Sequence, residues 1–113
     1  MKKIEAYLRS NALESVKQAL EDAQVYALTV ETVKGYGRQQ GQTDLYRGST
    51  YAQNLIPKLR ITVVVPDELV DAAIEAICQS SQTGEIGDGK IFISDVQDVI
   101  RIRTGERGEA AIQ

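Results

Sequence analysis

The chain has 113 residues, with 13 lysines and arginines against 16 aspartates and glutamates, one cysteine and no histidine. That length suits one domain burying roughly two-thirds of its unfolded surface, and a net charge of −3 argues against a dedicated nucleic-acid binder, which carries a basic face. Without histidine no Ser-His-Asp or Cys-His arrangement can be built, and a lone thiol excludes an internal disulfide and makes a zinc site improbable.

No apolar run approaches the ~20 residues of a membrane span, and the charged start Met1–Glu5 is followed by no apolar stretch of the kind a signal peptide needs. The expectation is a cytoplasmic protein without membrane insertion. In chain order, residues 2–8 alternate Ile4, Ala6 and Leu8 against Lys3, Glu5 and Tyr7, the pattern of a half-buried strand. Asn11 followed by Glu14 reads as a capping box opening a helix that turns Leu13, Val16, Leu20 and Ala23 to the core. Tyr26 to Lys34, rich in Val and Thr, reads as a second strand ended by Gly35 and Gly37.

Residues 38–54 are polar and carry Tyr46, Arg47, Ser49, Thr50 and Tyr51. A connection this long inside a compact domain is functional or disordered, and exposed aromatics beside arginine make it a partner-binding arm. Leu59–Val65 is the strongest strand pattern. Pro66 stops it, and Asp67 is placed to cap a second helix through about Ser80, burying Val70, Ala73, Ile74 and Ile77, with Cys78 read as core. Lys90–Val96 reads as a fourth strand and Val99–Arg103 as a short last one. The order β-α-β, long loop, β-α-β predicts an α+β, ferredoxin-like βαββαβ fold with a short extra C-terminal strand.

The chemistry concentrates at Thr83–Phe92. Gly84, Gly87 and Gly89 followed by Lys90 suggest a backbone cradle for an anion, because glycine tolerates positive φ and close approach. Arg101 and Arg103, one residue apart, would share one side of a strand and add two guanidinium forks. Gly84 to Lys90 fits the Walker A spacing G-x-x-x-x-G-K, but Ile91 stands where a hydroxyl is required and the following residues alternate like a strand. At the other end, Gln39 offers a neutral oxygen for a hard cation and Lys58 a partner for a carboxylate. A slow ATPase or phosphoryl transferase at the same loop is the alternative to a binding site. An RNA module is a weaker one, lacking clustered strand aromatics.

These residues resemble the PII signal-transduction proteins. The resemblance rests on Thr83–Phe92, on Arg101–Glu106, on Val33–Gln39 and on Leu45–Gly48, and runs over residues 1 to about 106 with spacings intact. It implies one domain over 1–113, with a mobile T-loop at 38–54 and a tail at 104–113. It also implies a homotrimer binding ATP or ADP between neighbours, a non-catalytic sensor of nucleotide and 2-oxoglutarate. By resemblance Gly87, Asp88, Gly89, Lys90, Arg101 and Arg103 hold phosphates with Arg38, and Thr29 and Val64 border the adenine. Gly35 and Gly37 lie against the nucleotide. Gln39 ligates Mg2+ shared with ATP and 2-oxoglutarate, while Lys58, with Gly87, takes a 2-oxoglutarate carboxylate. The T-loop would engage an ammonium transporter or an enzyme of nitrogen or carbon metabolism, with Tyr51 or Ser49 open to modification. Gln40 and Thr62 stand where such proteins usually have lysine and glutamate.

Overall fold

In a computed structural model, which describes residues 1–36 and 55–112, the chain forms an antiparallel sheet backed by two helices. The strands are β1 (Lys2–Arg9), β2 (Thr29–Gly35), β3 (Ile56–Val65) and β4 (Lys90–Asp95), and the helices α1 (Leu13–Asp22) and α2 (Val70–Ser81). Sheet order is β2-β3-β1-β4. Each β-α-β unit therefore skips one strand, and the two units interleave, which is the ferredoxin-like plan expected.

The alternation in β1 and β3 decides which face is buried. Ile4, Ala6 and Leu8 face Ile61, Val63 and Val65 under the helices, all at most 2% exposed. Val16 and Leu20 of α1 and Ala73 and Ile77 of α2 close the core, with Leu13, Val70 and Ile74 half-buried around them. Each large side chain so enclosed contributes about 1.5–3 kcal/mol. The opposite face carries Lys3, Glu5 and Tyr7 of β1 and Lys58, Arg60, Thr62 and Val64 of β3, all half-buried and without a covering layer among the described residues.

Several local readings are corrected. Ser10–Ala12 forms a 3-10 turn and α1 starts at Leu13 with no side-chain cap, so the Asn11–Glu14 capping box is not made. Asp67 likewise sits in a 3-10 turn, Asp67–Leu69, and its carboxylate accepts from the Met1 ammonium at 3.0 Å instead of capping α2. Helix α1 ends in a Schellman motif built on Gln24 at φ 70°: Val25 N–H donates to the Leu20 carbonyl at 2.8 Å and Gln24 N–H to the Glu21 carbonyl at 3.0 Å. That closure delays β2 to Thr29 and leaves Tyr26 77% exposed. Cys78 is exposed, one helical step past the buried Ile77. Val99–Arg103 is not a strand. It contributes one antiparallel bridge, Ile100 to Arg107, because the chain folds back on itself there instead of joining the sheet.

Candidate functional site

The glycine-rich segment between α2 and β4 is organised by one carboxylate. Asp88 accepts from the backbone N–H groups of Thr83 and Gly84, each at 2.8 Å, from the Thr83 hydroxyl, and from Arg9 Nε at 3.1 Å. These donors, the Thr83 hydroxyl foremost, hold its pKa well below the usual carboxylate range. Arg9 Nη2 also donates to the Ile86 carbonyl at 3.0 Å, and Lys58 Nζ to the Gly87 carbonyl at 2.8 Å. The turn is thereby tied to β1 and β3 at once. Gly87 and Gly89 have φ of 108° and 105°, and the φ sign changes at Asp88 between them, the alternation on which backbone anion nests are built. Gly89 has a second constraint: a Cβ there would lie 1.6 Å from the Tyr7 carbonyl oxygen.

The turn forms one wall of a cleft of about 920 Å³ on the open face of the sheet. Strand register explains what meets there. Glu31, Arg60, Tyr7 and Lys90 form one row across the four strands, and Val33, Lys58 and Arg9 the next row. Of these, Tyr7, Val33, Lys58, Arg60 and Lys90 line the cleft with Gly35, Tyr36, Gly87, Gly89 and Phe92. Arg60 donates to Glu31 Oε1 from Nε at 2.9 Å and from Nη2 at 2.7 Å, and from Nη1 to the Tyr7 hydroxyl at 3.2 Å. These bonds, to Tyr7 first and then to Glu31, raise its pKa. The Tyr7 ring meets Phe92 edge-on at 5.7 Å. Burial pushes the Lys58 pKa down, and the neighbouring Arg9 pushes it further. The cleft thus offers a cationic wall, a glycine turn and an aromatic floor, a chemistry suited to an anionic ligand.

Arg101 and Arg103 do not line this cleft. They lie in a closed hairpin, not on a strand. Arg101 N–H donates to the Glu106 carbonyl at 2.9 Å and Gly105 N–H to the Arg101 carbonyl at 2.7 Å, with Ile102 and Arg103 exposed at the tip. Asp98 fastens the base, accepting from Arg107 Nη2 at 2.6 Å and from the N–H groups of Val99 and Gly108. Arg107 first, then the Val99 N–H, hold the Asp98 pKa low.

Comparison with known proteins decides the family. A family model described as nitrogen regulatory protein P-II matches residues 1–106. The chain is 55% identical to the nitrogen regulatory protein P-II of Cereibacter sphaeroides and 53% identical to that of Rhodobacter capsulatus, over 99% of this chain and 100% of each relative. It is 51% identical, with the same coverage, to nitrogen regulatory protein P-II 1 of Escherichia coli strain K12.

The chain belongs to the P-II family. Its role is that of a regulatory, signal-transducing protein, and no described helix is long and apolar enough to cross a membrane.

Against the P-II signature, Gly35, Lys58, Gly87, Gly89 and Lys90 all line the one cleft. Asp88 stands behind the turn, its carboxylate turned inward onto the turn and Arg9. Thr29, at the start of β2, and Val64 of β3 lie farther along the same sheet face, outside the cleft lining. Gly37, Arg38, Gln39, Gln40, Ser49 and Tyr51, and with them the T-loop reading of 38–54, lie outside the described residues. Arg9, Tyr7, Arg60 and Phe92 were not singled out from sequence. Alternation sets Tyr7 with Arg9 on one face of β1 and Lys58 with Arg60 on one face of β3, but only the register between the strands brings the two pairs together.

Proposed function

We propose that this P-II protein is a non-catalytic sensor that binds ATP or ADP, and 2-oxoglutarate with Mg2+, at a site shared between copies of a homotrimer. The observation that carries this reading is the convergence of Lys58, Lys90, Arg60 and the positive-φ turn at Gly87–Gly89 on one cleft of a chain from a regulatory family. The residues present fit a polyphosphate, because the cleft joins flexible lysines to a backbone that only glycine can bring so close.

In this reading Gly87, Asp88, Gly89 and Lys90 hold phosphates with Arg38, and Arg101 and Arg103 of a second copy complete the grip. Gly35 and Gly37 lie against the nucleotide, with Thr29 and Val64 beside the adenine. Lys58 and Gly87 take a 2-oxoglutarate carboxylate, and Gln39 ligates Mg2+. The readout is population shift. A ligand that touches the base of residues 38–54 differently in two loop conformations moves their balance by that differential affinity. The loop then favours or releases a cytoplasmic target, an ammonium transporter or an enzyme of nitrogen or carbon metabolism, and Tyr51 and Ser49 are the positions open to covalent modification.

Calorimetric titration with ATP, with and without 2-oxoglutarate and Mg2+, tests the reading. ATP should bind more tightly with both present. Equal affinity would sink the coupling, and absence of ATP binding would sink the site. Lys90→Ala or Arg101→Ala should each weaken ATP by about 1.5–3 kcal/mol, the range for hydrogen bonds to charged groups. Co-expressing Lys90→Ala with Arg103→Ala chains should recover a fraction of tight sites, because some interfaces then pair two intact halves. No recovery would place both residues in one chain's site.

A further inference from the structure

The hairpin that carries Arg101 is locked by its own side chains. The Arg101 guanidinium donates through Nη1 to Glu106 Oε1 and through Nη2 to the Ala110 carbonyl at 2.9 Å. Thr104 secures Glu106 in turn. Its hydroxyl donates to the same carboxylate oxygen at 3.0 Å and accepts from the Glu106 N–H at 3.2 Å, using both capacities of a hydroxyl. The Glu106 backbone is fixed as well, its carbonyl accepting from the Arg101 N–H, so the carboxylate starts from a set position. The contrast with Arg103, exposed at the tip, is plain: Arg101 keeps only 24% of its side chain exposed.

We propose that Glu106 is a positioning residue for anion recognition: with Thr104 and the Ala110 carbonyl, it fixes the plane and direction of the Arg101 guanidinium so that the fork meets a phosphate already aligned. This rests on the reading of Arg101 as a phosphate contact. A guanidinium on a mobile stem surrenders its rotamer freedom on binding, whereas one ordered beforehand does not, and a rigid fork matches phosphate in one geometry. The opposing effect is charge. Glu106 offsets part of the Arg101 field, and an anion on the same guanidinium would lie inside the Debye length of about 8 Å, where salt screens that cost only in part. The gain from alignment must exceed this cost, which is what the charge-removing variant measures.

The test uses the full chain in its native assembly, with ATP titrated calorimetrically. Glu106→Gln keeps the shape and removes the charge, and should weaken ATP about tenfold, within the coupling range of contacting charged residues. Glu106→Asp should recover part of that loss. In an Arg101→Ala background Glu106→Gln should cost nothing further, which a merely structural role would not produce. Thr104→Val, which frees the carboxylate without touching either charge, should give a smaller loss of the same sign and serves if Glu106→Gln fails to fold. Unchanged or tighter ATP binding by Glu106→Gln overturns the proposal, the tighter case marking Glu106 as a competitor for Arg101. An equal loss in the Arg101→Ala background overturns it too. If the unaltered protein binds no ATP, the parent reading fails and takes this inference with it. If it binds and Glu106→Gln binds equally well, only the inference fails.

Discussion

The turn at Thr83–Gly89 and the hairpin at Asp98–Ala111 are built alike and behave differently. Each is organised by one aspartate that accepts two backbone N–H groups and an arginine: Asp88 with Thr83, Gly84 and Arg9, and Asp98 with Val99, Gly108 and Arg107. The turn borrows its arginine from β1 and its lysine from β3, so the sheet dictates its position. In the hairpin, Asp98 accepts from Val99, Arg107 and Gly108, and Arg101 donates to Glu106 and Ala110, bonds that run within residues 98–110. A loop anchored to a sheet is a fixed wall, and a loop anchored to itself is a presented arm. That difference is the physical ground for the proposal that the turn serves the chain's own cleft and the hairpin that of a second copy.

The sharpest break of this comparison is at glycine. Gly89→Ala would set a Cβ 1.6 Å from the Tyr7 carbonyl in a backbone already at φ 105°, forcing β1 and β4 apart. We expect a loss of about 3 kcal/mol or more, in the class of severe backbone and packing conflicts. Gly105 sits at φ 77° with nothing within 4 Å of its added Cβ. Gly105→Ala should cost only the left-handed backbone penalty, about 1–2 kcal/mol. Chemical denaturation of both variants decides it, and equal losses would mean that the hairpin is packed as tightly as the turn.

The arginines give the next contrast. Arg9 is 25% exposed beside an Asp88 that is 23% exposed, and it also holds the Ile86 carbonyl. Arg107 is 68% exposed. Arg9→Ala should destabilise by about 1–2 kcal/mol, as for a charge-assisted bond to a partly enclosed partner, and should weaken anion binding by loosening the turn. Arg107→Ala should fall within ~0.5 kcal/mol, as surface ion pairs do. A larger loss at Arg107 would reverse the ranking of the two loops.

How much of this was legible varies with the range of the interaction. The run Ile61–Val65, stopped by Pro66, and the helical spacing of Val70, Ala73 and Ile77 are local patterns, and the structure keeps them. The close of α1 was not legible, because the left-handed position that usually advertises itself as glycine is held by Gln24. The alternation Ile100, Arg101, Ile102, Arg103 imitates a strand, yet Asp98, Gly105 and Gly108 bend the segment onto itself before it can find a sheet edge. Those two glycines, both at positive φ, were the overlooked sign. At the site, the glycine turn could be read from composition. Arg9 and Arg60 could not, because they reach it only through cross-strand register, which no local window contains.

The smallest effect expected separates the two aspartates by acid. Asp88 and Asp98 both have folded-state pKa values below their unfolded values near ~3.9. Each therefore contributes stability that is fully present above that value and is lost as pH falls through the depressed, folded-state pKa. The thermal midpoint should hold steady above about pH 5 and fall progressively below about pH 4. Asp88 has two donors from the turn's backbone, one hydroxyl and one half-buried arginine, while the arginine on Asp98 is mostly exposed. Asp88→Asn should thus flatten the acid limb more than Asp98→Asn, in midpoints recorded between pH 6 and pH 2. If Asp98→Asn flattens it more, the arm and not the wall is the more tightly held of the two loops, and the assignment of the turn as the fixed half of the site loses its physical basis.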